Sequence, residues 1–282
     1  MDSQATRLIE LFNLKKRDSA ANSAKIVSII SGKGGTGKSF FALNFASQLA
    51  KRKKKILLID FDYNFANLHL FLNKTVANPL SHFLLDRTTL KEIIEQYSEN
   101  LDIIFGDSGF DNNIQMNEEK IERTFFNLEK LAVNYDYIIL DSAAGGNELT
   151  LRQISFSNYN IIVTLPEPTS IMDAYVMLKY CAVNELKPIN TVVVNKSESK
   201  EEGKTAFSNL NSAVTHFLSI DVKLLGLVSS SDLVTKSIKS QELLSKTAPT
   251  SQIISEISEI AERFIKFGQL ANNNQRLISN LS

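Results

Sequence analysis

Residues 32–39 read GKGGTGKS and put Gly32, Gly37, Lys38 and Ser39 on the fixed positions of G-x-x-x-x-G-K-[ST], the pattern that cradles phosphates. Each residue type has its reason. Glycine bends the backbone at positive φ, which turns successive N–H groups inward and makes an anion nest at the positive end of the next helix. Lys38 would then reach the β and γ phosphates of a nucleotide, and the Ser39 hydroxyl would ligate Mg2+. A second lysine, Lys33, follows the first glycine, where an ordinary phosphate loop does not need one.

Such a loop works only between a buried strand and a helix. An apolar run at 26–30 precedes it, and Ala42, Phe45, Ala46, Leu49 and Ala50 follow at helical spacing. Three further strand ends carry polar residues to the same carboxyl edge of the sheet, where α/β folds place ligands. The run 56–59 leads to Asp60 and Asp62, whose period-two spacing points both carboxylates one way; an N-cap or turn aspartate reads either of them equally well. The strand 137–140 ends in Asp141, the Walker B arrangement, in which a carboxylate holds Mg2+ through its water shell. The strand 191–194 ends in Asn195, whose amide both donates and accepts; a turn-forming asparagine is the alternative. Small residues at 142–146, Gly145 among them, suit a mobile hinge or a plain strand-to-helix turn.

The remaining pattern keeps alternating. Strands fall at 101–105, 161–165 and 222–227, and helices at 118–133, from a cap at Thr169 or Ser170 to about 184, at 206–217, and from about 251 onward. The basic run 51–55 reads as a solvated helix end. This is an α/β chain, doubly wound, with a mainly parallel sheet of seven or eight strands and helices on both faces. It divides into a short amphipathic segment at 1–14, with Ala5, Leu8, Ile9 and Phe12 on one stripe, a linker at 15–24, one domain at 25–268 and a tail at 269–282.

Of 282 residues, 43% are hydrophobic and 22% charged, enough to bury a full core. Basic and acidic residues number 31 each, so no overall positive field recruits nucleic acid. The single cysteine, Cys181, excludes a disulfide framework and reads as a small buried hydrophobe. No apolar run approaches the roughly 18 residues of a membrane span, and the start of the chain lacks a signal-peptide core, which points to the cytoplasm.

With Lys33 in place, KGGTGKS is the deviant phosphate loop, and the sequence resembles the MinD/ParA family of dimerising ATPases. Two segments resemble its flagellar branch, FlhG. Residues 166–175, PEPTSIMDAY, match that branch's PEPTSITDAY, and Gln4, Ala5 and Leu8 match its N-terminal D-Q-A-x-x-L-R pattern, with Asp2 displaced by one residue and Ile9 where arginine is expected. The resemblance implies a P-loop fold that binds ATP with Mg2+ through Gly32, Lys33, Gly34, Gly35, Thr36, Gly37, Lys38, Ser39 and Phe40. It further implies that Lys33 crosses to the nucleotide of a second subunit, that Asp62 orients the attacking water, and that Ser39, Asp60 and Asp141 stand on the metal side. Gly145 would sense the γ-phosphate and Asn195 would recognise the adenine edge. The cysteine-ligated iron–sulfur cluster of the related nitrogenase iron proteins is excluded by the cysteine count.

Family members differ from this chain at three places: His69 stands where aspartate is common, Asn73 where glycine is usual, and Ser230 near a usual proline. The family also ends in an amphipathic membrane-targeting helix, for which 263–270 is the candidate here. The glutamates Glu256, Glu259 and Glu262 on the polar face speak against strong attraction to anionic lipid, and 251–260 reads as core-packing helix. By resemblance the chain is an ATP-dependent homodimer that regulates flagellar number or placement, associates with the inner face of the membrane, and has an FlhF-like SRP-type GTPase or another flagellar protein as partner. The alternatives are a MinD- or ParA-like ATPase for division or DNA partition, and an ATP-gated scaffold that hydrolyses almost nothing.

Overall fold

The computed structural model describes residues 24–62, 66–106, 117–186 and 188–279. The amphipathic segment, nearly all of the linker, residues 63–65 after Asp62 and the last three residues lie outside that set.

Eight strands form one sheet in the order β3-β4-β2-β5-β1-β6-β7-β8. They are β1 (Lys25–Ile30), β2 (Ile56–Phe61), β3 (Glu95–Ser98), β4 (Leu101–Ile104), β5 (Tyr137–Ser142), β6 (Tyr159–Thr164), β7 (Ile189–Ser197) and β8 (Lys223–Ser229). All neighbours run parallel except β3, which pairs antiparallel with β4 at the edge. Strands β2 and β6 are buried along their whole length, because helices cover both faces. Side-chain alternation splits β1 between two cores. Val27 and Ile29 pack with Phe41, Phe45, Leu49, Ile257 and Phe264, while Ile26 joins Ile121, Phe125 and Leu128 on the opposite face.

The first face is built by α1 (Lys38–Lys51) and the long C-terminal helix Gln252–Ser279; the second by helices Glu118–Leu131, Glu148–Phe156, Pro168–Val183 and Lys200–Leu218. The edge strand β3 was not legible in the sequence. Its residues EQYS carry one aromatic, and only Glu95 and Tyr97 turn partly inward.

Two helix ends depart from expectation. Helix Pro168–Val183 begins with Glu167 as its extended cap residue and Pro168 at the first position, so neither Thr169 nor Ser170 caps it. Ser170 lies inside the first turn, where its hydroxyl accepts from Leu165 N at 3.0 Å and bonds Thr164 Oγ1 at 3.0 Å, closing the end of β6. The basic run after α1 is more engaged than a solvated end: Lys51 donates to Ser245 O at 3.0 Å and Arg52 to Ser258 O at 2.8 Å.

The C-terminal helix does not stop near residue 268 but continues through Ser279. The turns from Arg263 onward, expected as a membrane candidate, begin as core. Phe264 is 1% exposed and lies 5.5, 5.3 and 5.2 Å, ring to ring, from Phe45, Tyr137 and Tyr159. Arg263 donates to Leu225 O at 2.9 Å, and a Cβ at Gly268 would stand 3.4 Å from Tyr159 Oη. Among the described residues no helix is long and apolar enough to cross a membrane. Truncating Phe264→Ala removes the ring on which three aromatics converge and is expected to cost about 3–5 kcal/mol, read from the urea midpoint.

Candidate functional site

The glycine loop leaves the end of β1 at Ser31 and enters α1 at Lys38. Gly35 and Gly37 have φ of 77° and 82°, a left-handed backbone that other residues resist. A Cβ on Gly37 would also stand 2.4 Å from Asn195 Nδ2, and one on Gly32 2.4 Å from Asp173 Cβ, so both positions are closed to side chains. At Gly34 and Gly35 nothing lies within 4 Å, leaving the outer rim of the loop open.

Lys38 sits at the positive end of α1, where a helix dipole disfavours a cation, and no acidic residue occupies that first turn. Its ammonium is instead held by Asp141, Nζ to Oδ1 at 2.7 Å, both side chains being almost fully buried. A buried ion pair at a helix N-terminus leaves the loop's N–H groups and one cation converging on the space an anion would fill. Phe40 departs from the expected ligand surface in one respect. Its side chain is in the apolar core, so only its backbone N–H can face the loop.

Asp60 and Asp141 are directly opposite each other across the β2–β5 ladder, both buried. Asp60 Oδ2 accepts from Asn67 N and Leu68 N at 3.0 Å, and its Oδ1 accepts from Asp62 N at 3.3 Å. In this structure Asp60 therefore acts as the turn aspartate, organising the chain that carries Asp62 past the strand end. Burial, then the neighbouring Asp141 carboxylate, pushes the Asp60 carboxyl up to about 7. Asp62 is half-buried just beyond β2.

Gly145 adopts φ of 87° and donates its N–H to Ser31 O at 2.9 Å, joining the turn after β5 to the start of the loop. Asn195 lies within β7, and its Nδ2 donates to Thr36 O at 2.7 Å. Lys33 meets its own subunit here: Nζ is 2.7 Å from Glu167 Oε2 and 3.3 Å from Thr169 Oγ1. The spacing of the sequence gave no sign of that pair, nor of Lys196, whose Nζ donates to Gly35 O at 2.8 Å.

Among the described residues no group of three or more His, Cys, Asp or Glu gathers to hold a metal on protein ligands alone. That suits Mg2+, which takes one or two protein oxygens and completes its shell with water and phosphate. A serine hydroxyl such as Ser39 and a carboxylate such as Asp141 are oxygen donors of that kind. A cavity of about 410 Å³ opens elsewhere, between helices Pro168–Val183 and Lys200–Leu218; its lining, with Met172, Leu210 and Phe217, carries no charged side chain.

An AAA domain family model matches residues 24–196. The flagellum site-determining protein YlxH of Helicobacter pylori is 30% identical over 265 residues, covering 93% of this chain and 90% of that one. The antiactivator FleN of Pseudomonas aeruginosa is 23% identical and covers 88% and 89% respectively. In fold, the cell division ATPase MinD of Pyrococcus furiosus superposes with a TM-score of 0.74 at 21% identity, over 86% of this chain and 99% of that one.

Two outcomes follow from the geometry. Gly37→Ala forces a side chain into a left-handed position against the Asn195 amide and is expected to destabilise the protein by about 1–3 kcal/mol in urea unfolding. Asp60 holds its proton to about pH 7 when folded and releases it near 3.8 when unfolded, so the folded state binds more protons between those values. Stability without nucleotide should then fall as pH rises toward 7 and level off above it. Asp60→Asn is expected to flatten that slope in thermal melts between pH 5 and 8.

Proposed function

The chain belongs to this AAA-domain family and, within it, to the MinD/ParA ATPases that include YlxH and FleN; from that membership we propose an ATP-dependent dimerising switch that regulates flagellar number or placement. It is an ATPase and takes ATP with Mg2+. The observation that carries the site assignment is the buried Lys38–Asp141 pair at the mouth of a glycine loop that also presents Lys33.

In this reading the loop N–H groups and Lys38 bind the phosphates, with Lys38 exchanging Asp141 for phosphate oxygens. Ser39 and Asp141 hold Mg2+, which when bound offsets the charge of the β and γ phosphates. Asp60 fixes the start of the chain that presents Asp62, and Asp62 orients the attacking water. Asn195 recognises the base with the carbonyl and the second N–H of its amide, the first N–H being held by Thr36 O. Gly145 answers the γ-phosphate by giving up its bond to Ser31 O.

Lys33 crosses to the second subunit's nucleotide and supplies charge in the transition state. Its present pair with Glu167 is partly exposed, and such pairs contribute about 0–1 kcal/mol, so exchanging Glu167 for phosphate costs little. The partner we assign is a flagellar protein, an FlhF-like SRP-type GTPase, with peripheral membrane association of the dimer. The segment PEPTSIMDAY at 166–175, together with the N-terminal extension, supports the flagellar role over division or DNA partition. Equal numbers of basic and acidic residues also give no general attraction to DNA.

Mass in solution is expected to double with ATP and stay monomeric with ADP. Lys33→Ala should lose hydrolysis, by a factor on the order of 10³ if it replaces an arginine finger. Asp62→Ala should accumulate as an ATP-bound dimer, and parental turnover in that variant would overturn its assigned role. A mass indifferent to nucleotide would leave the ATP-gated scaffold as the better reading.

A further inference from the structure

Non-glycine residues with positive φ among those described are Lys53, Asn73, Asp86, Glu185, Lys196, Ser219 and Gln241. All but one stand at or just past a helix C-terminus, the ordinary place for a left-handed residue. Lys196 is the exception. Its φ of 55° occurs inside β7.

The cause is a bulge. Val194 pairs with Leu227 and Ser197 with Ser229, so Asn195 and Lys196 together face the single residue Val228. In a regular strand two consecutive side chains leave on opposite faces. Here both reach the same loop: Asn195 Nδ2 takes Thr36 O at 2.7 Å and Lys196 Nζ takes Gly35 O at 2.8 Å. Stability does not explain the arrangement. Lys196 is exposed, its bond is a surface one, and its backbone is held in a conformation that a lysine disfavours. Strain kept for so small a structural return is characteristic of a working site.

Peptide planarity says what the return is. In a trans peptide the carbonyl of one residue and the N–H of the next point in opposite directions. Holding Gly35 O and Thr36 O toward β7 therefore turns the N–H groups of Thr36 and Gly37 away from it, into the concavity of the loop. A run of glycines is otherwise free to lose that arrangement.

We propose that Lys196 is a positioning residue for nucleotide binding, which from the β7 bulge locks the Gly35 carbonyl outward and so presets the loop N–H groups for phosphate. The inference rests on the reading of this loop as an ATP site. It assigns Lys196 an effect on affinity rather than on chemistry, because a preordered loop lowers the ordering cost of binding.

The test uses the full chain and a fluorescent ADP. Lys196→Asn keeps a residue that tolerates the left-handed backbone but cannot reach Gly35, while Lys196→Arg keeps the donor. Expected are a loss in ADP affinity of roughly tenfold in the Asn variant, recovery in the Arg variant, an unchanged nucleotide-free melting temperature, and a raised KM for ATP with kcat held. Wild-type ADP affinity in the Asn variant would overturn the proposal. So would an equal loss in both variants, which would assign the effect to the backbone alone, or a fall in kcat with KM unchanged. Failure of the wild type to bind ADP would instead overturn the reading of the whole loop.

Discussion

One cation buried at the wrong end of a helix dictates much of this structure. Lys38 opens α1, where the dipole opposes it, and nearly all of its surface is inside the protein. Only a neighbouring carboxylate makes that tolerable, and Asp141 must then be delivered at bonding distance from another strand. A parallel sheet does so without further devices. Strands β1, β2 and β5 run the same way, their carboxyl ends finish side by side, and the register that sets Ile29 beside Asp141 also sets Asp60 beside it. A second carboxylate so close to the first retains its proton more readily than a free one, which keeps the cluster nearer neutrality while no phosphate competes for the lysine.

Legibility in the sequence followed the length scale of each interaction. The phosphate loop is a local pattern, with every constraint inside residues 32–39, so its position and flanking elements could be read directly. The strand-end acids Asp60 and Asp141 were legible because apolar runs of the right length stop at them. Long-range pairings were not. Nothing within PEPTS says that its glutamate meets Lys33, 134 residues earlier. Nor does anything near Lys196 reveal the bulge, which exists only relative to the register of β8. Edge strand β3 escaped because a strand half turned to solvent has no run of apolar residues to announce it.

The C-terminal helix shows a related limit. Its apolar face was plain in the sequence, but amphipathicity alone does not say whether the partner is a sheet or a lipid surface. Three aromatic rings from α1, β5 and β6 settle the matter for Phe264, and Ser258 of the same helix holds Arg52, the residue that caps the end of α1. The phosphate-loop helix is thereby clamped by the C-terminal helix, through Phe45 and through Arg52 just past its last turn.

The irregular edges of the sheet bear on how the molecule meets others of its kind. On one side β3 is short, runs against its neighbour, alternates outward polar residues and breaks register at Gln96. On the other, β8 opens with an exposed lysine and slips register twice against β7. Both are devices that frustrate strand-on-strand growth, the commonest route by which open sheets polymerise or aggregate. With its lateral edges blunted in this way, the sheet offers a poor template for an added strand at either end.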